Sequence, residues 1–340
     1  MKLISFVVPC YNSEAYMEKC INSLIPGGDD VEIIIINDGS KDRTGEIADR
    51  FATKYPSLIK VIHQENGGHG AGVNAGLAAA TGEYFKVVDS DDWVDEKALF
   101  EVIKTLKENL KTETPIDMLV ANYVYEHVED NTQNIIHYRG IFPKDKIFGW
   151  DEMIKIDPAR YIIMHSVTYR TQILRDSGVK LPMHTFYVDN LVLYVPLPLT
   201  KNLYYLDVNF YRYYTGRADQ SVNGNVMVKR IDQQIYVTEL LLKSHDISKI
   251  KESSPKLAKY MTYYLSIMYT ITSTLFAMDG TKQAQQKSKI FWDNLKNTDE
   301  ALYRKIRYFS KAFFMALPGK VGNSTTRFIY RIARKVYKFN

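Results

Sequence analysis

Between Leu3 and Asp89, strand-like and helix-like segments alternate four times, and no other pattern in the chain restricts its fold as tightly. Leu3 to Val8 is an apolar run that ends at Pro9. Tyr11-Asn12-Ser13 then turns into a helix, with Ser13 as its predicted N-cap, that reaches about Leu24 and stops before Pro26-Gly27-Gly28. Val31 to Ile36 is a second apolar run, ending in Asn37-Asp38-Gly39-Ser40, after which Asp42 or Thr44 opens a helix to Tyr55. Leu58 to His63 leads into the loop Asn66-Gly67-Gly68-His69-Gly70, and a helix over Ala71 to Ala80 feeds the β-forming run that ends at Asp89. This alternation predicts an α/β protein with a doubly wound, mainly parallel sheet, whose ligands bind beyond the carboxyl ends of the strands.

The polar residues collect at those ends. Pro9, Tyr11 and Glu14 follow the first strand, Asp38 the second, Gly68 and His69 the third, and Asp89, Ser90 and Asp91 the fourth. Any one of them is compatible with a solvated turn or a helix cap; four successive strand ends carrying them predict a cleft. Asp89-Ser90-Asp91 sets two carboxylates two positions apart, on one side of an extended chain. Oxygen ligands of this kind suit a hard divalent cation, Mg²⁺ or Mn²⁺, that keeps open positions for phosphate oxygens. Neither Gly-x-Gly-x-x-Gly after the first strand nor the Gly-x-x-x-x-Gly-Lys-Ser/Thr phosphate loop is present. A nucleotide with a metal-bound diphosphate fits better, with Tyr11 flanking the base and Asp38 accepting a hydrogen bond from its ring NH.

Four segments together carry a specific resemblance. Val7-Val8-Pro9-Cys10-Tyr11-Asn12, Ile36-Asn37-Asp38-Gly39-Ser40, Asn66-Gly67-Gly68 with Asn74-Ala75-Gly76, and Gly82-Glu83-Tyr84 through Asp89-Ser90-Asp91-Asp92 resemble family 2 glycosyltransferases in order and spacing. The resemblance covers the first hundred or so residues. It implies the GT-A fold, a UDP-sugar donor contacted by Pro9, Tyr11, Glu14, Asp38, Gly68, His69, Asn74, Asp89 and Ser90, a divalent metal held by Asp91 and Asp89, and inversion at the anomeric carbon. Many members carry Arg where Val73 precedes Asn74, so a phosphate contact falls to another residue, for which His69 is the candidate. Further on, Val167-Thr168-Tyr169-Arg170 and Thr171-Gln172-Ile173-Leu174 resemble the strand and helix that precede the family's catalytic acid. Phe186-Tyr187-Val188-Asp189-Asn190-Leu191 resembles Glu-Asp-x-x-Phe, with Val188 in place of Glu. Asp189 is thereby the candidate general base; otherwise it reads as the cap of a helix over Leu191 to Leu199. A base is needed because a sugar hydroxyl is a poor nucleophile until its proton is removed. Arg217, Gln220 and Ser221, in a polar-aromatic loop, stand where related enzymes close over the diphosphate.

The rest of the chain bounds what this domain works with. A chain of 340 residues with 46% hydrophobic content can bury more than one core. Two cysteines, Cys10 and Cys20, give no disulfide framework, which fits a reducing cytoplasm. We expect a catalytic domain over 1–222, with a donor half at 1–95 and an acceptor half at 96–222, a helical extension over 223–300, and a basic tail over 301–340. That tail holds ten basic and no acidic residues, so with a net charge of +5 the remainder is −5. As a helix, Arg327 to Phe339 sets Phe328, Ile329, Ile332 and Val336 against Arg327, Arg331, Arg334 and Lys338, the pattern of an interfacial anchor on anionic lipid. The expectation is a cytoplasmic enzyme, peripheral on the inner membrane face, that serves a glycan or lipid-linked acceptor, with the helical extension as a helical cap or a homo-oligomerisation element. No nucleic-acid-binding module accompanies the charge. A sugar nucleotidyltransferase would need a glycine-rich loop near its start, and a non-catalytic glycan-binding scaffold would not need Asp38, Asp89, Asp91 and Asp189 together.

Overall fold

The computed structural model describes residues 1–128, 130–157, 159–215 and 224–309. The chain separates into two compact units, Met1–Tyr214 and one that begins at Thr215.

The first unit opens with the predicted alternation: β1 (Ile4–Cys10), α1 (Met17–Leu24), β2 (Val31–Asp38), α2 (Thr44–Lys54), β3 (Ile59–Gln64), α3 (His69–Ala79) and β4 (Tyr84–Val87). β1 and β4 are buried along their whole length, as continuous apolar runs of a sheet covered on both faces must be. β3, β2, β1 and β4 lie side by side and parallel, with Val8 opposite Ile35 and Val7 opposite both Ile34 and Val87. All four carboxyl ends therefore open on one edge.

Beyond β4 the sheet changes direction. The chain continues through β5 (Trp93–Val94), α4 (Glu96–Asn109), β6 (Met118–His127), β7 (Thr132–Ile136), β8 (Ile147–Phe148), β9 (Val167–Arg170), α5 (Thr171–Asp176), α6 (Asp189–Tyr194) and β10 (Leu203–Thr215). β9 joins β4 antiparallel, and the order runs β3-β2-β1-β4-β9-β6-β10-β5. The result is a mixed α/β sheet whose parallel part carries the predicted crevice.

Two local expectations change. α1 starts at Met17, not after Ser13. Residues 12–14 are instead tied to the next strand–helix loop: Asn12 N donates to Ser40 Oγ, Ser13 N to Thr44 Oγ1 and Glu14 N to Asp42 Oδ2. In return, Lys41 N donates to Asn12 Oδ1. These cross-loop bonds compete with a helical first turn and prevail. The helix expected over Leu191 to Leu199 is likewise short, because Pro196 and Pro198 interrupt the backbone donors after Tyr194.

α3 is built from small residues, and that decides how close it lies to the sheet. A Cβ on Gly76 would sit 2.2 Å from Val7 Cγ1, and one on Gly72 would sit 3.1 Å from Pro9 Cβ. Close approach on this side carries the start of α3 over the ends of β1 and β4.

From Gly224 on, the described residues of the second unit are helical: α7 (Gly224–Lys229), α8 (Ile231–Ser244), α9 (Ile247–Ser253), α10 (Pro255–Asp279), α11 (Lys282–Thr298) and α12 (Glu300–Phe309). α10 begins with Pro255 and stops at Gly280, whose φ of 70° is the left-handed value a helix end favours. Its core is aromatic, with Tyr269 stacked on Phe291 at 4.4 Å between ring centroids. No described helix is long and apolar enough to cross a membrane.

Gly76→Ala tests the helix–sheet spacing. Alanine gains about 1 kcal/mol of helix propensity, but the methyl overlaps Val7, and overpacking of this kind costs about 1–3 kcal/mol. The expected outcome is a lower melting temperature by calorimetry; an unchanged or higher one would mean that α3 lies farther from β1.

Candidate active site

Asp38 closes β2 at 3% exposure, and its carboxylate organises the glycine loop. Oδ1 accepts from Gly67 N at 2.9 Å and from Gln64 Nε2 at 2.7 Å, while Oδ2 accepts from Gly68 N at 2.7 Å. Gly68 has a φ of 80°, and a Cβ there would lie 3.1 Å from the backbone of His184, so the position requires glycine. His184 N in turn donates to Gly67 O at 2.7 Å. Beside Asp38, an open cavity of about 520 Å³ is lined by Tyr11, Gly39, Lys41, His63, Gln64, Glu65 and Asn66. Tyr11 is half exposed at its edge.

The second centre is Asp89. The Nε2–H of His69, at the start of α3, donates to its Oδ1 at 2.8 Å, and that of His165 donates to Oδ2 at 3.2 Å. Burial works against the Asp89 anion, but the two imidazoles outweigh it and hold the carboxyl well below the usual carboxylate range. The same contact acts in reverse on His69. Burial opposes its cation, yet Asp89, Asp189 and Asp91 together raise it above the ordinary histidine value. Ser90 Oγ lies 2.8 Å from Ser13 Oγ, and Cys20 Sγ donates to Asp89 O, so the loop after β4 is fixed to α1 and the turn before it.

Asp92 is 2% exposed and is held by β10. Its Oδ2 accepts from the Tyr211 hydroxyl at 2.6 Å, its Oδ1 accepts from Tyr214 N at 2.8 Å, and Asp89 N donates to the same Tyr211 hydroxyl at 3.1 Å. The acidic loop is thereby locked to β10. Burial and the adjacent Asp91 and Asp89 charges push Asp92 well above the usual carboxylate range.

Asp189 opens α6 and does not cap it; Val188 holds the cap position, and Asn190 Nδ2 reaches Asp189 Oδ1 at 3.3 Å. Burial raises its pKa, the Asp89 charge adds to that, and His165 and His69 partly offset it. Those influences set Asp189 in the same electrostatic neighbourhood as Asp89, a hundred residues earlier in the chain. Tyr187, two residues before it, has a φ of 67°, a left-handed conformation that a bulky side chain takes only when its surroundings enforce it.

Other predicted residues lie elsewhere. Pro9 is buried in β1 beneath Gly72. Glu14 is exposed and pairs with Arg43, its Oε2 accepting from Arg43 Nε at 3.2 Å and from Arg43 N at 3.1 Å. Asn74 spends its side chain on Leu181, with Nδ2 donating to Leu181 O at 2.8 Å and Oδ1 accepting from Leu181 N at 3.1 Å. Arg217, Gln220, Ser221 and the chain from 310 onward lie outside the described residues.

His165, Tyr211 and Lys86 were missed from sequence. His165 has no motif around it. Its ring packs edge-on against Tyr211 and Tyr213, each at 4.8 Å. Lys86 did carry a signal, a lysine inside a run expected to be buried. Its Nζ donates to His165 O at 2.8 Å and Val167 O at 3.1 Å, and burial pushes it down to about 7.

Asp89, Asp92 and His165 each offer a ligand atom, all within 4.8 Å of one another. Two carboxylates and an imidazole are a donor set for a divalent cation of the Mn²⁺ type. Buried His165 Nδ1 has no hydrogen-bond partner among the described residues, which also fits a site made for a further polar occupant. The residues present suit such a metal.

Comparison with known proteins agrees with this architecture. Residues 5–159 match the model of glycosyl transferase family 2. The chain is 41% identical over 124 residues to the putative glycosyltransferase EpsH of Bacillus subtilis, covering 36% of this chain and 34% of that one. It is 37% identical over 110 residues to the poly(ribitol-phosphate) beta-glucosyltransferase of Bacillus spizizenii, covering 31% of this chain and 17% of that one. The matched segments thus span about a third of the first relative's length and 17% of the second's. Among solved structures, TarS 1–349 of S. aureus in complex with UDP-GlcNAc superposes with a TM-score of 0.66 at 18% identity, covering 98% of this chain and 92% of that one. The fold is the GT-A fold. Over residues 5–159 the chain is similar to glycosyl transferase family 2, the family that its first hundred residues resemble.

Proposed function

We propose that this glycosyltransferase moves a hexose or N-acetylhexosamine from a UDP-sugar to a glycan or lipid-linked acceptor, with inversion, in the synthesis of an envelope polysaccharide or teichoic-acid-like polymer. The observation that carries the reading is the convergence of Asp189 with Asp89, His69 and His165 at the carboxyl edge of the parallel strands. The UDP-GlcNAc bound to TarS and the name of the ribitol-phosphate relative support the donor and the polymer class.

Each residue has a task in this scheme. Tyr11 flanks the base at the cavity beside Asp38, while Asp38 holds Gly67 and Gly68 so that the loop keeps its shape around the nucleotide. His69 and the loop with Arg217, Gln220 and Ser221 meet the diphosphate. Asp91, less buried than Asp92, joins Asp89 as a ligand of Mn²⁺ or Mg²⁺, beside the donor group that Asp89 forms with Asp92 and His165. When bound, that cation neutralises charge developing on the leaving nucleoside diphosphate. Asp189 takes the proton of the acceptor hydroxyl, and its raised pKa suits it to do so, since a base tuned toward working pH accepts a proton more readily. Residues 1–95 form the donor half and 96–222 the acceptor half. The basic tail over 301–340 holds the enzyme to an anionic membrane surface on the cytoplasmic face, and the helical extension offers the surface for self-association.

Three outcomes follow. Asp189→Asn keeps the shape and removes the basicity, so turnover should fall by about 10²–10⁴-fold with donor affinity nearly unchanged. Single-turnover transfer at near wild-type rate would reject the base. Asp91→Ala should abolish transfer and weaken Mn²⁺-supported UDP binding in calorimetry while the melting temperature holds; full activity of that variant, or of the wild type in excess chelator, would remove the metal assignment. Truncation after Leu317 should reduce sedimentation with anionic vesicles and leave UDP binding unchanged, whereas equal sedimentation would exclude an anchor.

A further inference from the structure

Asn74 sits on the second turn of α3, in the donor half, yet both polar atoms of its side chain engage the backbone of Leu181, 107 residues later. The pairing is bidentate, at 2.8 and 3.1 Å, the pattern by which a side-chain amide imitates a neighbouring strand. Leu181 begins the segment that delivers Asp189. Three residues on, His184 N donates to Gly67 O, so the same segment is held a second time by the glycine loop. Between these two anchors and α6 the backbone turns through left-handed conformations at His184 (φ 49°) and Tyr187 (φ 67°). Neither residue is glycine, so each costs on the order of 1 kcal/mol or more and persists only while external contacts over-determine the path. The Asn74–Leu181 bonds are an anchor that a side chain supplies to this segment.

We propose that Asn74 is a positioning residue for Asp189: it locks the Leu181 backbone to α3 and thereby sets where the general base stands relative to the donor. This rests on the assignment of Asp189 as base. It also replaces the expectation that Asn74 touches the nucleotide. The physical reason for an asparagine is specific. Aspartate cannot donate to Leu181 O, leucine can make neither bond, and alanine leaves Leu181 N and O to find water.

The test measures Asn74→Ala, Asn74→Asp and Asp189→Asn in parallel with the full chain. UDP release from UDP-N-acetylglucosamine and from UDP-glucose in Mn²⁺ gives turnover, calorimetry with UDP gives nucleotide affinity, and thermal unfolding gives stability. A displacement of about 1 Å at a catalytic group costs up to about 10²-fold in rate. Both Asn74 variants are therefore expected to lose about 10- to 100-fold in kcat, with the UDP dissociation constant within about twofold of wild type. If Asn74→Ala does not fold, Asn74→Asp, which keeps the acceptor for Leu181 N, carries the test alone. Loss of stability with kcat of the folded enzyme intact would overturn the inference, as would a loss of UDP affinity that accounts for the whole effect. A fall in turnover for Asp189→Asn beside unchanged turnover for both Asn74 variants would sink the positioning role only. Unchanged turnover in Asp189→Asn would instead remove the base itself.

Discussion

The Asp38 carboxylate is the constraint on which the crevice depends. It accepts three N–H donors at 2.7–2.9 Å, two of them backbone amides of consecutive glycines. Bonds from neutral donors to an ionised acceptor are among the stronger ones a protein makes, and here they are made where little water competes. Without them, the left-handed turn at Gly68 would have no partner for two amides and no reason to keep its shape. With them, α3 starts where its first residue, His69, reaches Asp89, and the glycine loop becomes the surface on which His184 rests. The glycine loop and the segment that leads to α6 are thus joined by one buried carboxylate.

Charge is the second organising problem. Asp89, Asp91, Asp92 and Asp189 gather at one edge of the sheet, and so many carboxylates repel one another strongly in a poorly solvated crevice. Two imidazoles, the Tyr211 hydroxyl and the Tyr214 amide divide them into different states. Asp89 is held as an anion by His69 and His165, while Asp92 and Asp189 are driven the other way by burial and by their neighbours. Environments that push the pKa values of like groups apart are how a site assigns separate roles to chemically identical side chains. Lys86 reinforces the arrangement from behind by holding the His165 and Val167 carbonyls.

Much of this was legible in the sequence, because the information is local. Apolar runs of β-formers separated by helical spacing specify a parallel α/β sheet, and polar residues at four strand ends specify where its crevice lies. The strand over Val167–Arg170 and the helix that follows it could be placed from sequence, and the helical character expected after residue 223 is met by α8, α10 and α11. Periodicity reports which face of a segment is buried. It does not report which distant segment it is buried against.

That second kind of information was decided only by the tertiary structure. Ser13 looked like a helix cap, but the loop from 40 to 44 offered its backbone better partners. Asn74 looked like a nucleotide contact, but the chain brought Leu181 to it from 107 residues away. His165 carried no motif, and only the antiparallel return of β9 beside β4 put its imidazole on Asp89. The sequence by itself determined the sheet, the acidic loop and the family resemblance. Which carboxylate is ionised, which amide holds which loop and which histidine joins the site depend on long-range pairing, because hydrogen bonds and charge interactions act over a few ångströms of space regardless of separation along the chain.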